Sequence, residues 1–291
     1  MNRPGAWYRL LAGSAALFGP WLFALVARII AAGFFLFSAS TRESRRFYSI
    51  LFPDRTGLYP LWCTFRQYQN FTTIHLDRFL VASGHEIAAT SDGLEKLEQV
   101  ITDGGAILLM SHLGNWELAA HLLKQRHPGL QMLLYMGKKE KEGIERMQKE
   151  GLRQAGVRII GVEQDQASPL AAVEGIRLLG NGGLVSMTGD VVWHRDQRTV
   201  QVPFLGHGIR LPVAPYVFSL VSGAPILVFF AFRTGRGQYH FTLSDPIHVR
   251  PAGRDDREQA IARAAGQYAA LLETALRAHP LQWYHFRRFL E

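Results

Sequence analysis

From Ala106 onward the chain alternates short apolar runs with longer stretches of helical periodicity, and this alternation limits the fold more than any other feature. The run "AILLM" at 106–110, set off by the Asp103-Gly104-Gly105 break, has the compact apolar character of a buried strand. A helix over 116–125 follows, then a strand at 131–135, a charge-rich helix at 141–154 and a strand at 157–160. The pattern continues with a helix at 169–179, a strand at 183–187, strands at 226–232 and 239–243, and a long closing helix over 255–278. Parallel strands need long crossovers, and helices supply them. The expected fold is therefore α/β, with a central, largely parallel sheet flanked by helices on both faces.

Upstream of this region the signals are helical. Aromatic residues including Trp62, Phe65, Phe71 and Phe79 recur at helical spacing over 58–81, as in an amphipathic helix. A further helix is expected over 91–101, with Ser91 as its N-cap. At the N-terminus, 18 uncharged residues lie between Arg9 and Arg28, and another uncharged run extends from Ile29 to Thr41. The apolar segment 10–37 is long enough to span a bilayer, with a restart at Gly19-Pro20. Arg42, Arg45 and Arg46 follow it, which favours a cytoplasmic main body. Residues 1–41 are thus expected to form a membrane anchor, spanning or interfacial, and residues 42–291 the functional domain; a buried core hairpin is the competing reading.

Composition narrows the partners. With 48% hydrophobic and only 19% charged residues the chain is not disordered, and its net charge of +8 favours an anionic partner. Nucleic acid, an acidic carrier protein and anionic lipid all satisfy that condition, but no nucleic-acid motif is present and the basic residues are dispersed. Cys63 is the only cysteine, which excludes an intrachain disulfide and a thiolate metal cluster.

The chemistry concentrates in "SHLGNWE", 111–117. His112 stands two residues beyond the expected strand end, at the carboxyl rim where open α/β sheets place ligands and catalytic groups. Asn115 is a natural N-cap, Glu117 falls in the first helical turn, and Gly114 permits a tight path between His112 and Glu117. A carboxylate accepting from one ring nitrogen would fix the tautomer while the other nitrogen takes a proton. A satisfied core histidine beside a helix-start charge fits the same pattern. Glu117 and His121 share a helical face, but no HExxH motif supports a metal, and Ser111 lacks a nucleophile elbow.

The same stretch resembles the H-x4-D/E motif of glycerolipid-type acyltransferases and, more narrowly, the lipid A late acyltransferase family. "GDVVWHRDQRTVQVPFLGHGIRLPVAP" at 189–215 is similar to that family's acidic turn and V-P-F-x-G segment. "SGAPIL" at 222–227, "FRTGRGQYHF" at 232–241 and "HPLQWYHFRRF" at 279–289 resemble further blocks in the family's order. The resemblance implies a glycerol-3-phosphate acyltransferase-like domain that transfers an acyl chain from acyl carrier protein or acyl-CoA to a glycolipid hydroxyl at the inner membrane. It implies His112 as the base and Glu117 as its orienting carboxylate, with neither metal nor bound cofactor. Asn115, Lys138, Arg153, Asp190 and Arg233 are the expected substrate-binding residues. "MGKKEK" at 136–141 and the Gly189-Asp190-Val191 turn depart from the lipid A enzymes, which leaves other polar lipids or polyene pigments as acceptors. Thioester hydrolysis and a noncatalytic lipid-binding role are the alternatives.

Overall fold

The computed structural model describes residues 20–82, 86–137, 152–153, 156–162, 169–193 and 196–291. Three helices lead: α1 (Pro20–Phe37), α2 (Ser40–Leu51) and α3 (Tyr59–Ala82). Then come β1 (Ala88–Asp92), α4 (Leu94–Asp103), β2 (Ala106–Met110), α5 (Trp116–Arg126), β3 (Met132–Gly137) and β4 (Val157–Val162). The second half comprises α6 (Pro169–Gly180), β5 (Leu184–Thr188), β6 (Thr199–Phe204), β7 (His207–Pro212), α7 (Ala214–Ser222), β8 (Ile226–Gly235), β9 (Gln238–Leu243) and α8 (Arg257–Ala278). A short 3₁₀ turn, Pro280–Gln282, follows α8.

Seven strands form one mixed sheet in the order β1-β9-β8-β2-β5-β3-β4. The five from β8 to β4 are mutually parallel, whereas β9 is antiparallel to β8 and carries β1 parallel to itself. β2 is central and buried at every position, as its unbroken apolar run requires. Its alternate side chains feed two cores. Ile107 and Leu109 join α8 residues Ala265, Tyr268 and Leu272 together with Phe47 and Tyr48 of α2, while Leu108 and Met110 pack with Leu97 of α4.

One expectation needs revision, and two further features lie beyond what periodicity reads. Ser91 does not cap a helix: it pairs with Phe241 in the exposed edge strand β1, and α4 begins after Gly93, whose φ of 82° only glycine adopts readily. The hairpin β6–β7 escaped periodicity because Pro203 sits within it and its turn uses Leu205, at φ 52°, before Gly206 at φ 76°. Two positive φ values suit the tight turn of a two-stranded ribbon, yet leucine is a poor advertisement for one. Finally, no single helix among the described residues is long and apolar enough to cross a membrane. Only Leu25–Phe37 together with α2, bent by 87°, reaches that length and composition. Residues 1–19 of the expected anchor lie outside the described residues. α1 packs on α3 through Phe34 against Tyr68 and Phe35 against Phe65, and leaves Trp21, Ile29 and Phe37 exposed.

Candidate active site

The register of the sheet places the site. β2 and β5 are parallel neighbours with Met110 beside Thr188, and the ladder continues through the Gly189 N–H donating to the Met110 carbonyl at 2.8 Å. Two residues past each strand end stand His112 and Asp190, side by side at the carboxyl rim. The Asp190 carboxylate accepts the backbone N–H of His112 at 2.7 Å and lies 3.1 Å from ring Nδ1 through each of its oxygens. It thus grips both the main chain and the ring of one residue.

The Asp190 side chain is fully buried whereas that of His112 keeps 31% of its surface exposed. Burial pushes the Asp190 carboxyl up, but the His112 charge and its hydrogen bonds more than offset this, and the net result lies below the ordinary carboxylate range. An ionised carboxylate only accepts, so Nδ1 carries the hydrogen and Nε2 is left as the basic nitrogen. Tyr268 lines the back of the site, its hydroxyl donating to the Met110 carbonyl at 3.3 Å.

Glu117 is elsewhere. The five-residue spacing pairs it with the His112 ring, but in the fold its carboxylate sits 2.8 Å from Nη1 of Arg78 on α3. The carboxylate that contacts the His112 ring is that of Asp190. The physical reason is that the first turn of α5 faces α3, whose guanidinium captures Glu117, while sheet order delivers Asp190 to the ring. Burial holds the Glu117 carboxyl above its usual range, with Arg78 opposing. His121 lies within 3.2 Å of Gln125, while Glu117 on the same helix faces Arg78.

Asn115 occupies the N-cap position of α5 but caps nothing with its side chain. Fully buried, it accepts from Nε of Arg78 at 2.8 Å and donates to the Tyr239 hydroxyl at 3.2 Å. Tyr239 in turn donates to Asp77 at 2.7 Å, and Nε of Arg233 donates to the same carboxylate oxygen at 2.7 Å. Arg233 is therefore at the carboxyl rim, tied to α3. Arg153 is not in this neighbourhood: exposed, it precedes β4, and it belongs to the rim at the amino ends of the strands, opposite His112. Lys138 lies outside the described residues.

The C-terminal segment completes the site, and single-residue pattern reading missed most of it. The Gly114 N–H donates to the Gln282 carbonyl at 2.9 Å, the Tyr284 N–H donates to the His112 carbonyl at 2.7 Å, and Leu113 bridges Trp283. The Gln282 side chain accepts the Arg233 N–H and donates to the Arg233 carbonyl, at 2.9 and 3.0 Å, acting as one rung of a ladder. His285 stands edge-on to the His112 ring, with centroids 5.9 Å apart, and rests on Trp283. Burial drives its pKa down to about 4 despite the nearby Asp190, so it adds no charge beside His112 near neutral pH. The signal available in the sequence was the block "HPLQWYHFRRF" itself, which periodicity does not explain.

Fold and site together define an α/β protein with a histidine–carboxylate centre at the carboxyl rim of its sheet. The chain belongs to the bacterial lipid A biosynthesis acyltransferase family, whose model matches residues 35–291. It is 27% identical over 203 residues to the phosphatidylinositol mannoside acyltransferases of Mycobacterium tuberculosis strains H37Rv and CDC 1551. The match covers 66% of this chain and 57% of each of those proteins, so it spans less than two thirds of the relatives' length.

Proposed function

We propose that the protein is a membrane-associated O-acyltransferase that moves a fatty acyl chain from acyl carrier protein, or acyl-CoA, to a glycolipid hydroxyl. His112 serves as base and Asp190 as its charge partner. The observation that carries this reading is the double grip of Asp190 on the His112 backbone N–H and ring Nδ1. Nε2 takes the acceptor's hydroxyl proton as the oxygen attacks the thioester carbonyl. The C–S bond then breaks, and the imidazolium returns the proton to the leaving thiolate. Buried Asp190 stabilises the imidazolium in between. No covalent enzyme intermediate is required, and Cys63 is ill suited to forming one, since it is buried and burial raises its thiol pKa.

A glycolipid acceptor is supported by the mannoside-acylating relatives and by family membership; a lipid A precursor and a mannosylated lipid are the two forms those names suggest. The exposed apolar residues of α1, with Arg42, Arg45 and Arg46 exposed on α2, support attachment to an anionic bilayer. In this reading residues 1–41 anchor a glycerol-3-phosphate acyltransferase-like domain, residues 42–291, on the cytoplasmic side of the inner membrane.

The test is acyl transfer followed by mass spectrometry, with acyl carrier protein or acyl-CoA as donor and candidate glycolipids as acceptors. His112→Ala is expected to abolish transfer while the protein stays folded, and Asp190→Asn to slow it by about 10²–10⁴-fold. Wild-type rates in His112→Ala would overturn the assignment of the base. Fatty acid released equally with and without glycolipid would make the enzyme a thioester hydrolase.

A further inference from the structure

We propose that Arg78 is the positioning residue of the His112 loop, a role that rests on His112 acting as the base. Arg78 is the side chain on which both remaining polar residues of the loop converge: Nε donates to Asn115 at 2.8 Å, and Nη1 stands 2.8 Å from Glu117. Both partners of this ion pair are largely buried, at 15% and 13% side-chain exposure, so the contact is shielded from water in a way surface pairs are not. The carboxylate of the H-x4-E motif therefore acts on the loop through Arg78, without touching the His112 ring.

The loop is held from two sides. On the β5 side, Asp190 fixes the main chain and ring of His112. On the α3 side, Arg78 fixes Asn115 and Glu117, while the Asn115 N–H donates to the Ala231 carbonyl at 2.7 Å. The Asn115 amide passes the constraint on to Tyr239, which with Arg233 shares the Asp77 carboxylate beside Arg78 in the chain. Helix α3, the loop, β8 and β9 are thereby joined by one chain of hydrogen bonds. A lysine at position 78 has a single ammonium on a flexible stem and lacks the planar fork that reaches an amide and a carboxylate together. Without the guanidinium, a buried carbonyl and a buried carboxylate both lose their partner, and residues 112–117 must shift to find others.

The experiment measures kcat, KM for the acyl donor and thermal stability of the full chain carrying Arg78→Ala, Arg78→Lys, Glu117→Gln, the Arg78→Ala/Glu117→Gln pair and, as reference, His112→Ala. Arg78→Ala is expected to lower kcat by about 10–100-fold, the cost of misplacing a reacting group by about an ångström, with donor KM within about twofold. Arg78→Lys should fail to restore it. Added methylguanidine should recover part of kcat in Arg78→Ala and none in His112→Ala. The double variant should lose no more than the worse single one, because both break the same link. Wild-type kcat in folded Arg78→Ala, or multiplicative losses in the double variant, would overturn the positioning role. If Arg78→Ala does not fold, the same judgement applies to Arg78→Lys. An active His112→Ala would instead overturn the underlying assignment of the base, whatever Arg78 does.

Discussion

At Gly114 the backbone has φ of +81°, and a Cβ built there would lie 2.2 Å from the Ala231 carbonyl oxygen. The close approach is what lets the loop after β2 hydrogen-bond to β8 on one side and to Gln282 on the other, and so aim His112 at Asp190. Gly114→Ala combines backbone strain with a clash against main chain that cannot swing away. It is expected to destabilise the fold by about 2–4 kcal/mol and to depress activity even where folded, as read from urea unfolding and kcat together. Gly114 was visible in the sequence as a turn residue; that β8 is its reason for being glycine was not, since Ala231 lies over a hundred residues away.

Among the elements, the C-terminal segment has an effect out of proportion to its length. Trp283 is fully buried, stacked with Phe47 of α2 and His285, and edge-on to Phe289. Its neighbours in the chain, Gln282 and Tyr284, make the hydrogen bonds that hold the His112 loop. Trp283→Ala is expected to cost about 3–5 kcal/mol, the range for emptying an aromatic site in a packed core. Because the segment sits directly on the loop, kcat should fall with stability; a variant that unfolds more easily but turns over normally would mean that Trp283 serves the core alone. The motif Pro280-Leu281-Gln282-Trp283 was legible as unusual. Its work, pairing main chain with main chain across the site, is tertiary.

On the scale of the whole molecule, histidines whose pKa is lowered by desolvation set the response to acid. Burial lowers the pKa of His285 to about 4 and of His75 to about 3, and His121, His248 and His279 move in the same direction. Below pH 6.5 the unfolded chain takes up protons that folded His75 and His285 refuse, so stability falls as pH falls. The slope is about 1.4 kcal/mol per pH unit for each of these two residues down to their folded values. Asp190, held below its usual range, contributes stability above about pH 4 that disappears as it protonates, whereas the raised Glu117 works in the opposite sense. Urea midpoints should therefore drop steeply between pH 7 and 4.5, and His75→Gln with His285→Gln should flatten the curve. A flat wild-type profile would contradict the burial of these rings.

Local pattern was sufficient for the alternation of strands and helices, for a largely parallel sheet, and for a histidine at the carboxyl end of a central strand. Those properties depend on periodicity and on the reach of a crossover, which are written within short windows of sequence. The partner of that histidine depends on strand order. His112 and Asp190 are 78 positions apart, and only the placement of β5 beside β2 in register, Met110 against Thr188, makes them neighbours. Glu117, five positions away, is drawn off by Arg78 because packing turns the start of α5 toward α3. A hydrogen bond forms between atoms about 3 Å apart, whatever their separation along the chain. The sequence by itself determined where the histidine would stand, and the tertiary structure alone decided which carboxylate would face it.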